Sequence, residues 1–328
     1  MDAHLDLAWN ALAEGRPFEG PPQPGYLVSR AALAEAGVGL VFATIFCAPA
    51  GLARLTGGFA YRTAREANLM ARAQLGWYQS SGLTVIHDRP GLERYLQGWH
   101  PGSLAVVLLM EGADPIEKPG DVSWWAAQGV RIVGPSWRRT RYAGGTGQPG
   151  GLSNEGVKLL SSMAHAGVIL DLSHMADQAV SEALEGWNGP VMASHSNARA
   201  LVPGDRQLPD ETVAEMGRRG GVVGVSFYRA HLRGDAHPAG LADVVRHIEH
   251  LAEAAGGPEH VGLGTDLDGG FGVKEAPIAK LERIGELRGL LKRRFSDSQT
   301  EGIMAGNWLG FLRRSIAAPN PWLDKEDL

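Results

Sequence analysis

Eight short apolar runs, separated by stretches of helical periodicity, constrain this fold more than any other feature of the chain. Seven are rich in β-branched and aliphatic residues: GVGLVFATIF (37–46), SLAVVLLMEG (103–112), GVRIVGPSW (129–137), GVILDLSH (167–174), PVMASHS (190–196), GVVGVSFY (221–228) and HVGLGTD (260–266). The opening DAHLDL supplies the eighth. Runs that are apolar throughout belong to strands covered on both faces, and alternation with helices makes their sheet parallel. Eight such strands close a (β/α)8 TIM-type barrel, with its active site at the C-terminal ends of the strands. TVIHD (84–88) is a spare candidate left outside the barrel, since admitting it breaks the count.

Helices are readable between the runs. Val244, Val245, Ile248, Leu251, Ala252 and Ala255 line one face at three- and four-residue intervals. Ser298 and Glu301 have capping-box spacing before Ile303, Trp308, Leu309 and Phe311. YAGGTGQPGG (142–151) is too glycine-rich for regular structure and is expected to be a flexible loop over the barrel mouth. Glycine and proline are spread along the chain rather than gathered in a linker, which favours one barrel domain over residues 1–315 and a loose tail over 316–328.

Composition excludes several functions. Lys plus Arg number 31 against 36 Asp plus Glu, so there is no basic field to draw nucleic acid or anionic lipid. No stretch approaches the ~20 apolar residues of a membrane helix, and no leader pattern opens the chain. The single cysteine, Cys47, follows an apolar run and reads as packing, so the fold does not rest on a disulfide and a cytoplasmic location is expected. Only three residues precede His4, so either the true start lies upstream or the first strand is short and its polar residues are held by neighbours.

The polar residues gather at strand ends: His4 and Asp6, Glu111, His174, His195 and Asp266. Because strand side chains alternate, the H-x-D spacing turns His4 and Asp6 into the same interior. Three carboxylates and three imidazoles at one barrel mouth are poorly solvated unless cations neutralise them. Two divalent ions and a bridging hydroxide balance three carboxylates, which suggests a dinuclear site with ions ~3.5–4 Å apart. Nitrogen and oxygen donors without thiolate suit Zn, and also Mn, Co or Fe. Asp266 and Asp268 resemble the start of a calcium loop, but Gly270, Phe271 and Pro277 stand where an EF-hand needs an oxygen donor, glycine and glutamate. His87, His100, His165, His231, His237, His247, His250 and His260 lack such company and read as structural or exposed.

With DAHLDL, MEG, DLSH, SHSN, DRQLPD, SFY, GLGTDLDG and the late GNW in order, the chain resembles the membrane (renal) dipeptidase family of zinc metallopeptidases, from His4 to about Phe311. That resemblance implies His4 and Asp6 as ligands of one ion, Glu111 as a bridging catalytic carboxylate, and His174 with His195 as ligands of a second. It implies Asp266 as the acid/base, Arg206 as the partner of a substrate carboxylate, Tyr228 as pocket lining, and a homodimer. The implied function is hydrolysis of dipeptides by a metal-bridging hydroxide. One departure is Trp137, where the family usually carries a histidine thought to steady the carbonyl oxygen. An indole donates one hydrogen bond and carries no charge, although Arg138, Arg139 or Arg141 could substitute. Two alternatives follow: a hydrolase of another small amide, lactam or ester, and a non-catalytic barrel that binds a small carboxylate.

Overall fold

The computed structural model describes residues 1–52 and 59–316. Its strands are β1 (Asp2–Leu5), β2 (Leu40–Phe46), β3 (Thr84–Val85), β4 (Ala105–Glu111), β5 (Val130–Gly134), β6 (Ala143–Gly145), β7 (Gln148–Leu152), β8 (Ile169–Asp171), β9 (Val191–Met192), β10 (Val223–Val225) and β11 (Val261–Leu263). Parallel pairing runs β1–β2–β4–β5–β8–β9, and β10 pairs with β11. Ala193 bridges to Val223, joining β9 to β10, and the Asp266 N–H donates to the His4 carbonyl at 3.2 Å, joining the end of β11 to β1. The eight expected strands therefore follow one another round a closed (β/α)8 circuit. β3 pairs with Ala105 and Val106 at the start of β4, before β5 begins its pairing at Leu108, and so stands off the circuit.

Burial follows strand parity. Leu40 and Phe42 of β2 pack with Ala105, Val107 and Leu109 of β4 and with Trp308, while Val41, Ala43, Ile45, Val106, Leu108 and Met110 pack in the other core layer. Strands covered on both faces have no solvent side, which is why every residue of β2 and β4 is buried. Trp308 lies edge-on to Phe42 at 5.2 Å and donates its indole N–H to the Leu263 carbonyl at 3.0 Å. The parity that carries Ala105, Val107 and Leu109 into this layer ends at Glu111, and that of Leu40 and Phe42 ends at Phe46.

The helix Leu241–Ala255 buries all six residues of its expected apolar face and ends at Gly256 in the left-handed region, φ 87°. Two local expectations are corrected. The late helix is capped by Ser296 and Gln299, not Ser298 and Glu301, because the Gln299 N–H donates to Ser296 Oγ while Glu301 is drawn into an ion pair with Arg288. The glycine-rich segment is an antiparallel hairpin, β6–β7, with a register shift between Ala143 and Gly145, not an irregular loop. Its glycines permit close approach: a Cβ on Gly144 would lie 2.4 Å from the Gly150 carbonyl oxygen, and one on Gly145 2.6 Å from that of Arg138. Residues 317–328, most of the expected tail, lie outside the described residues, whereas Ile316 is buried.

Close approach also sets the joint between β9, β10 and β11, where a Cβ on Gly264 would lie 1.8 Å from the Ser194 carbonyl oxygen and one on Gly224 2.0 Å from it. Gly264→Ala should therefore destabilise the fold by about 1–3 kcal/mol, the usual cost of overpacking a tight site, read as a lowered urea midpoint at unchanged m-value.

Candidate metal centre

The polar residues at the strand ends converge on one cavity of about 860 Å³, lined by Asp6, Glu111, His174, His195 and Asp266 together with Trp9, Phe46, Trp137, Arg206 and Tyr228. Glu111 stands at its centre. One carboxylate oxygen lies 3.2 Å from His174 Nε2 and 3.4 Å from His195 Nε2, and the other lies 3.5 Å from His4 Nε2. His4 Nε2 is also 3.9 Å from Asp6 and 4.0 Å from Asp266, too far to accept either as a hydrogen-bond partner. It is buried with no partner among the described residues. Three overlapping groups have donor atoms mutually within 4.8 Å: His4, Asp6 and Glu111; Glu111, His174 and His195; His4, His195 and Asp266.

The outer ring nitrogens explain how these imidazoles are aimed. Ser194 Oγ lies 3.2 Å from His4 Nδ1 and 2.8 Å from His195 Nδ1, and donates to Ser173 Oγ at 3.2 Å. With its hydrogen committed to Ser173, Ser194 Oγ accepts from both rings, so each carries its hydrogen on Nδ1 and presents an Nε2 lone pair inward. Thr146 Oγ1, at the tip of the β6–β7 hairpin, serves His174 Nδ1 in the same way at 3.0 Å while donating to the His174 carbonyl at 3.5 Å. The His174 and His195 Nε2 atoms are then 3.0 Å apart, a repulsive approach of lone pairs unless a cation lies among them. Thr44 donates to Asp6. The donor set and the orphaned His4 nitrogen thus fit divalent metal.

Electrostatics point the same way. Burial opposes charge on His4, but the surrounding Glu111, Asp6 and Asp266 carboxylates outweigh it and raise the ring to about 10. Burial raises Asp6 to about 6 and pushes Asp266 well above the usual carboxylate range. Burial also pushes against Glu111, yet His4 and His174 hold it well below that range. Burial and the Arg206 charge lower His174 to about 4, and burial with the His4 charge takes His195 well below its ordinary value. As protein groups alone, the cluster keeps a proton on His4 at neutral pH, where a divalent cation would take its place.

Backbone strain is concentrated here. The only non-glycine residues with positive φ among the described residues are His174 (67°), Asp266 (58°) and Asp268 (65°). Such conformations cost free energy and persist where the surroundings over-determine them. Asp268 supplies part of that bracing by accepting from the Leu27 and Val28 N–H groups, at 2.9 and 2.7 Å.

Arg206 is 9% exposed, donates to the His195 carbonyl at 2.6 Å and to Ser196 Oγ at 3.2 Å, and has no carboxylate partner among the described residues. Tyr228 and Trp137 line the same cavity. Trp137 lies 5.0 Å from the Phe46 ring and 6.0 Å from that of His174. None of the three arginines after it lines the cavity: Arg138 lies over the Trp137 ring at 5.9 Å, Arg139 is tied to the Pro149 carbonyl, and the Arg141 guanidinium to Asp114 and the Ile116 carbonyl. Sequence reasoning missed Ser194 and Thr146 as supports of the histidines. The repeated serine beside each ligand, in DLSH and SHS, was the available signal. It also missed His231, which lines the cavity. His247 is structural as expected, accepting from the Ala198 N–H at 3.2 Å.

A buried histidine–carboxylate cluster at the C-terminal mouth of a (β/α)8 barrel defines the class of metal-dependent hydrolases. Within that class, the chain belongs to the membrane dipeptidase family, Peptidase family M19, whose model matches residues 1–321. It is a metallo-dipeptidase by family, and the metal such enzymes use is divalent. It is 34% identical to an uncharacterized protein in the pqqA 5′ region of Klebsiella pneumoniae, over 57% of this chain and 70% of that protein. It is 33% identical to the dipeptidase tcpJ of Claviceps purpurea, over 50% of this chain and 38% of that one, so the match spans well under half of tcpJ. Among solved structures, a metallo peptidase of Rhodobacter sphaeroides liganded with a phosphinate mimic of the dipeptide L-Ala-D-Ala superposes with a TM-score of 0.83 at 24% identity, covering 96% of this chain and 98% of that one. The probable dipeptidase PvdM of Pseudomonas aeruginosa superposes with a TM-score of 0.80 at 21% identity, covering 95% and 94%.

Two outcomes follow from this geometry. Ser194→Ala removes the acceptor shared by His4 and His195 and should weaken metal affinity about 10–100-fold, measured by chelator competition. With His4 raised to about 10, binding of zinc at pH 7.5 should release about one proton from that ring, measured by the buffer dependence of the calorimetric enthalpy. Affinity should therefore fall as pH falls, and more steeply below about 6, where Asp6 also takes up a proton.

Proposed function

We propose that this protein hydrolyses the peptide bond of dipeptides at a centre of two divalent ions, with zinc as the expected metal. The observation that carries the reading is Glu111, which turns one oxygen toward His4 and the other toward His174 and His195, as a carboxylate shared between two ions requires. His4 and Asp6 would hold one ion with it, and His174 and His195 the other. Bound there, the ions would supply a water acidic enough to attack at neutral pH and an electrophile for the scissile carbonyl oxygen.

The chain's own residues do the rest. Asp266, raised by burial, is suited to take a proton from the attacking water and return it to the leaving amine. Arg206, a buried guanidinium without a carboxylate of its own, is the receptor for the dipeptide's terminal carboxylate, with Tyr228 beside it. The mimic bound by the Rhodobacter sphaeroides peptidase belongs to the same substrate class. Trp137 adds an apolar wall and at most one neutral hydrogen bond. Because no guanidinium near Trp137 reaches the cavity, a lactam, ester or other small amide is the second reading of the substrate. A cytoplasmic location and a homodimer complete the proposal. They rest on the single, buried, unpaired cysteine and on the family resemblance respectively. No helix among the described residues is long and apolar enough to cross a membrane.

The test is a panel of dipeptides, an N-acyl amino acid and a β-lactam, assayed after zinc reconstitution. Turnover of the dipeptides is expected, and turnover of none of these compounds would leave the carboxylate-binding barrel. Asp266→Asn should lower kcat by about 10²–10⁴-fold while elemental analysis still finds about two ions per chain. His174→Ala should lose metal itself, and equal metal loss in both variants would overturn these roles.

A further inference from the structure

His231 is the one cavity-lining histidine that the metal cluster does not use. It sits just beyond Tyr228, whose ring it meets edge to face at 4.9 Å and 87°. Its position is coupled to that of Arg206. The His231 carbonyl accepts from Gln207 Nε2 at 3.2 Å, and Gln207 is the residue after Arg206. The same carbonyl accepts from Asn197 Nδ2 at 3.2 Å, and the Asn197 N–H donates to Gln207 Oε1 at 3.2 Å. Buried Asn197 also accepts from the Ser226 N–H at 2.8 Å, which ties the end of β10 into this network.

The hydrogen bonds on the ring settle its tautomer. His231 Nδ1 lies 3.2 Å from Ser226 Oγ, which already accepts from the Tyr228 N–H at 3.3 Å. Ser226 is fully buried, and His231 Nδ1 is the only acceptor for its hydroxyl among the described residues. A buried hydroxyl hydrogen left without an acceptor is costly, so Ser226 donates to Nδ1 and the ring carries its own hydrogen on Nε2. Nε2 has no protein partner among the described residues and is not among the sealed polar atoms. Burial, with the Arg206 charge next, holds the ring neutral.

We infer that His231 is a substrate-binding residue, its Nε2–H donating to the terminal carboxylate that Arg206 attracts. The inference rests on the dipeptidase reading above. A guanidinium that spends two of its nitrogens on the His195 carbonyl and Ser196 leaves a carboxylate with unfilled acceptor sites, and a fixed neutral donor fills one without adding charge to the crowded cavity. The chemistry required of the ligand is an anionic oxygen pair at the end away from the scissile bond. A substrate whose carboxylate is replaced by a carboxamide loses most of what this donor offers.

The experiment combines a spectroscopic readout with kinetics. Side-chain 15N shifts of His231 in the wild-type protein, assigned against His231→Gln, should report a neutral ring protonated on Nε2. A ring protonated on Nδ1 would overturn the inference whatever the kinetics. With the zinc-loaded enzyme, His231→Leu should raise KM for Ala-Ala about ten-fold with kcat within about two-fold, the size expected for a lost hydrogen bond to a charged group. His231→Gln, whose amide can reach the same point, should recover most of that loss. For Ala-Ala amide, whose carbonyl oxygen accepts only a neutral hydrogen bond, wild type and His231→Leu should differ by less than they do for Ala-Ala. An unchanged KM for Ala-Ala in His231→Leu, at unchanged metal content and melting temperature, would refute the role and leave the dipeptidase reading intact. If the wild type turns over no dipeptide, the dipeptidase reading falls instead. The tautomer, and the shift of the Nε2 signal on adding acetate, then decide whether the donor recognises a carboxylate.

Discussion

Everything at the mouth of this barrel depends on crowding lone pairs and negative charge at the floor of a cavity where most of them are buried. Glu111 is buried between two groups of imidazoles, His174 and His195 meet nitrogen to nitrogen, and His4 points an unpartnered atom at three carboxylates. None of these approaches is favourable between protein groups alone, because burial removes the solvent that would screen them. A proton on His4 relieves part of the strain. Divalent cations would relieve more of it, and the hydrogen bonds on the outer ring nitrogens aim the imidazoles toward them.

The barrel meets the cost of that crowding with short connections rather than bulk. Ser194 alone orients two of the histidines, and its carbonyl lies so close to Gly224 and Gly264 that only glycine fits there. The strands on this side are two or three residues long, and hydrogen bonds from Asp2 and Asp171 extend their order beyond the ladder. Asp2 accepts from the Thr265 N–H at 2.8 Å, and Asp171 from the Ser173 and Ser194 N–H groups, each at 2.9 Å. Left-handed backbone at His174 and Asp266 then turns those side chains inward from positions that a continuing strand would not give them.

What the sequence made legible was whatever repeats with a period. Buried parallel strands announce themselves as unbroken apolar runs, so the eight-strand circuit could be counted, and the exclusion of TVIHD matches its place beside β4. The polar residues ending those runs stand out against them, which makes all six legible as one group in the sequence. Features that depend on a third dimension were illegible. The glycines of the β6–β7 hairpin look like disorder until the opposing backbone 2.4 Å from a would-be Cβ is seen. Ser194 looks like any strand serine until two rings are found on its hydroxyl. His231 lies in no motif, and its significance comes from Gln207 and Asn197, which are distant in the chain.

The cavity is polar in one sector and aromatic in another, and the metal-binding cluster lies between them. Trp9, Phe46 and Trp137 form a continuous edge-to-face series at 4.9 and 5.0 Å on the side of β1, β2 and β5, while Arg206, Tyr228 and His231 are carried by the segments after β9 and β10. On the proposed reading, a dipeptide laid across the cluster with its carboxylate at the guanidinium would turn its amino-terminal side chain toward the aromatic series. Reversing it would bury the carboxylate against indole and phenyl faces, where an anion meets the negative side of the ring quadrupole and loses its hydration. On that reading, one orientation of the amide is thus favoured before any bond is strained, with its carboxylate end in the sector of Arg206. Orientation of this kind is the part of catalysis that a barrel supplies most cheaply, because the groups that define it are carried on segments that follow different strands of one closed circuit.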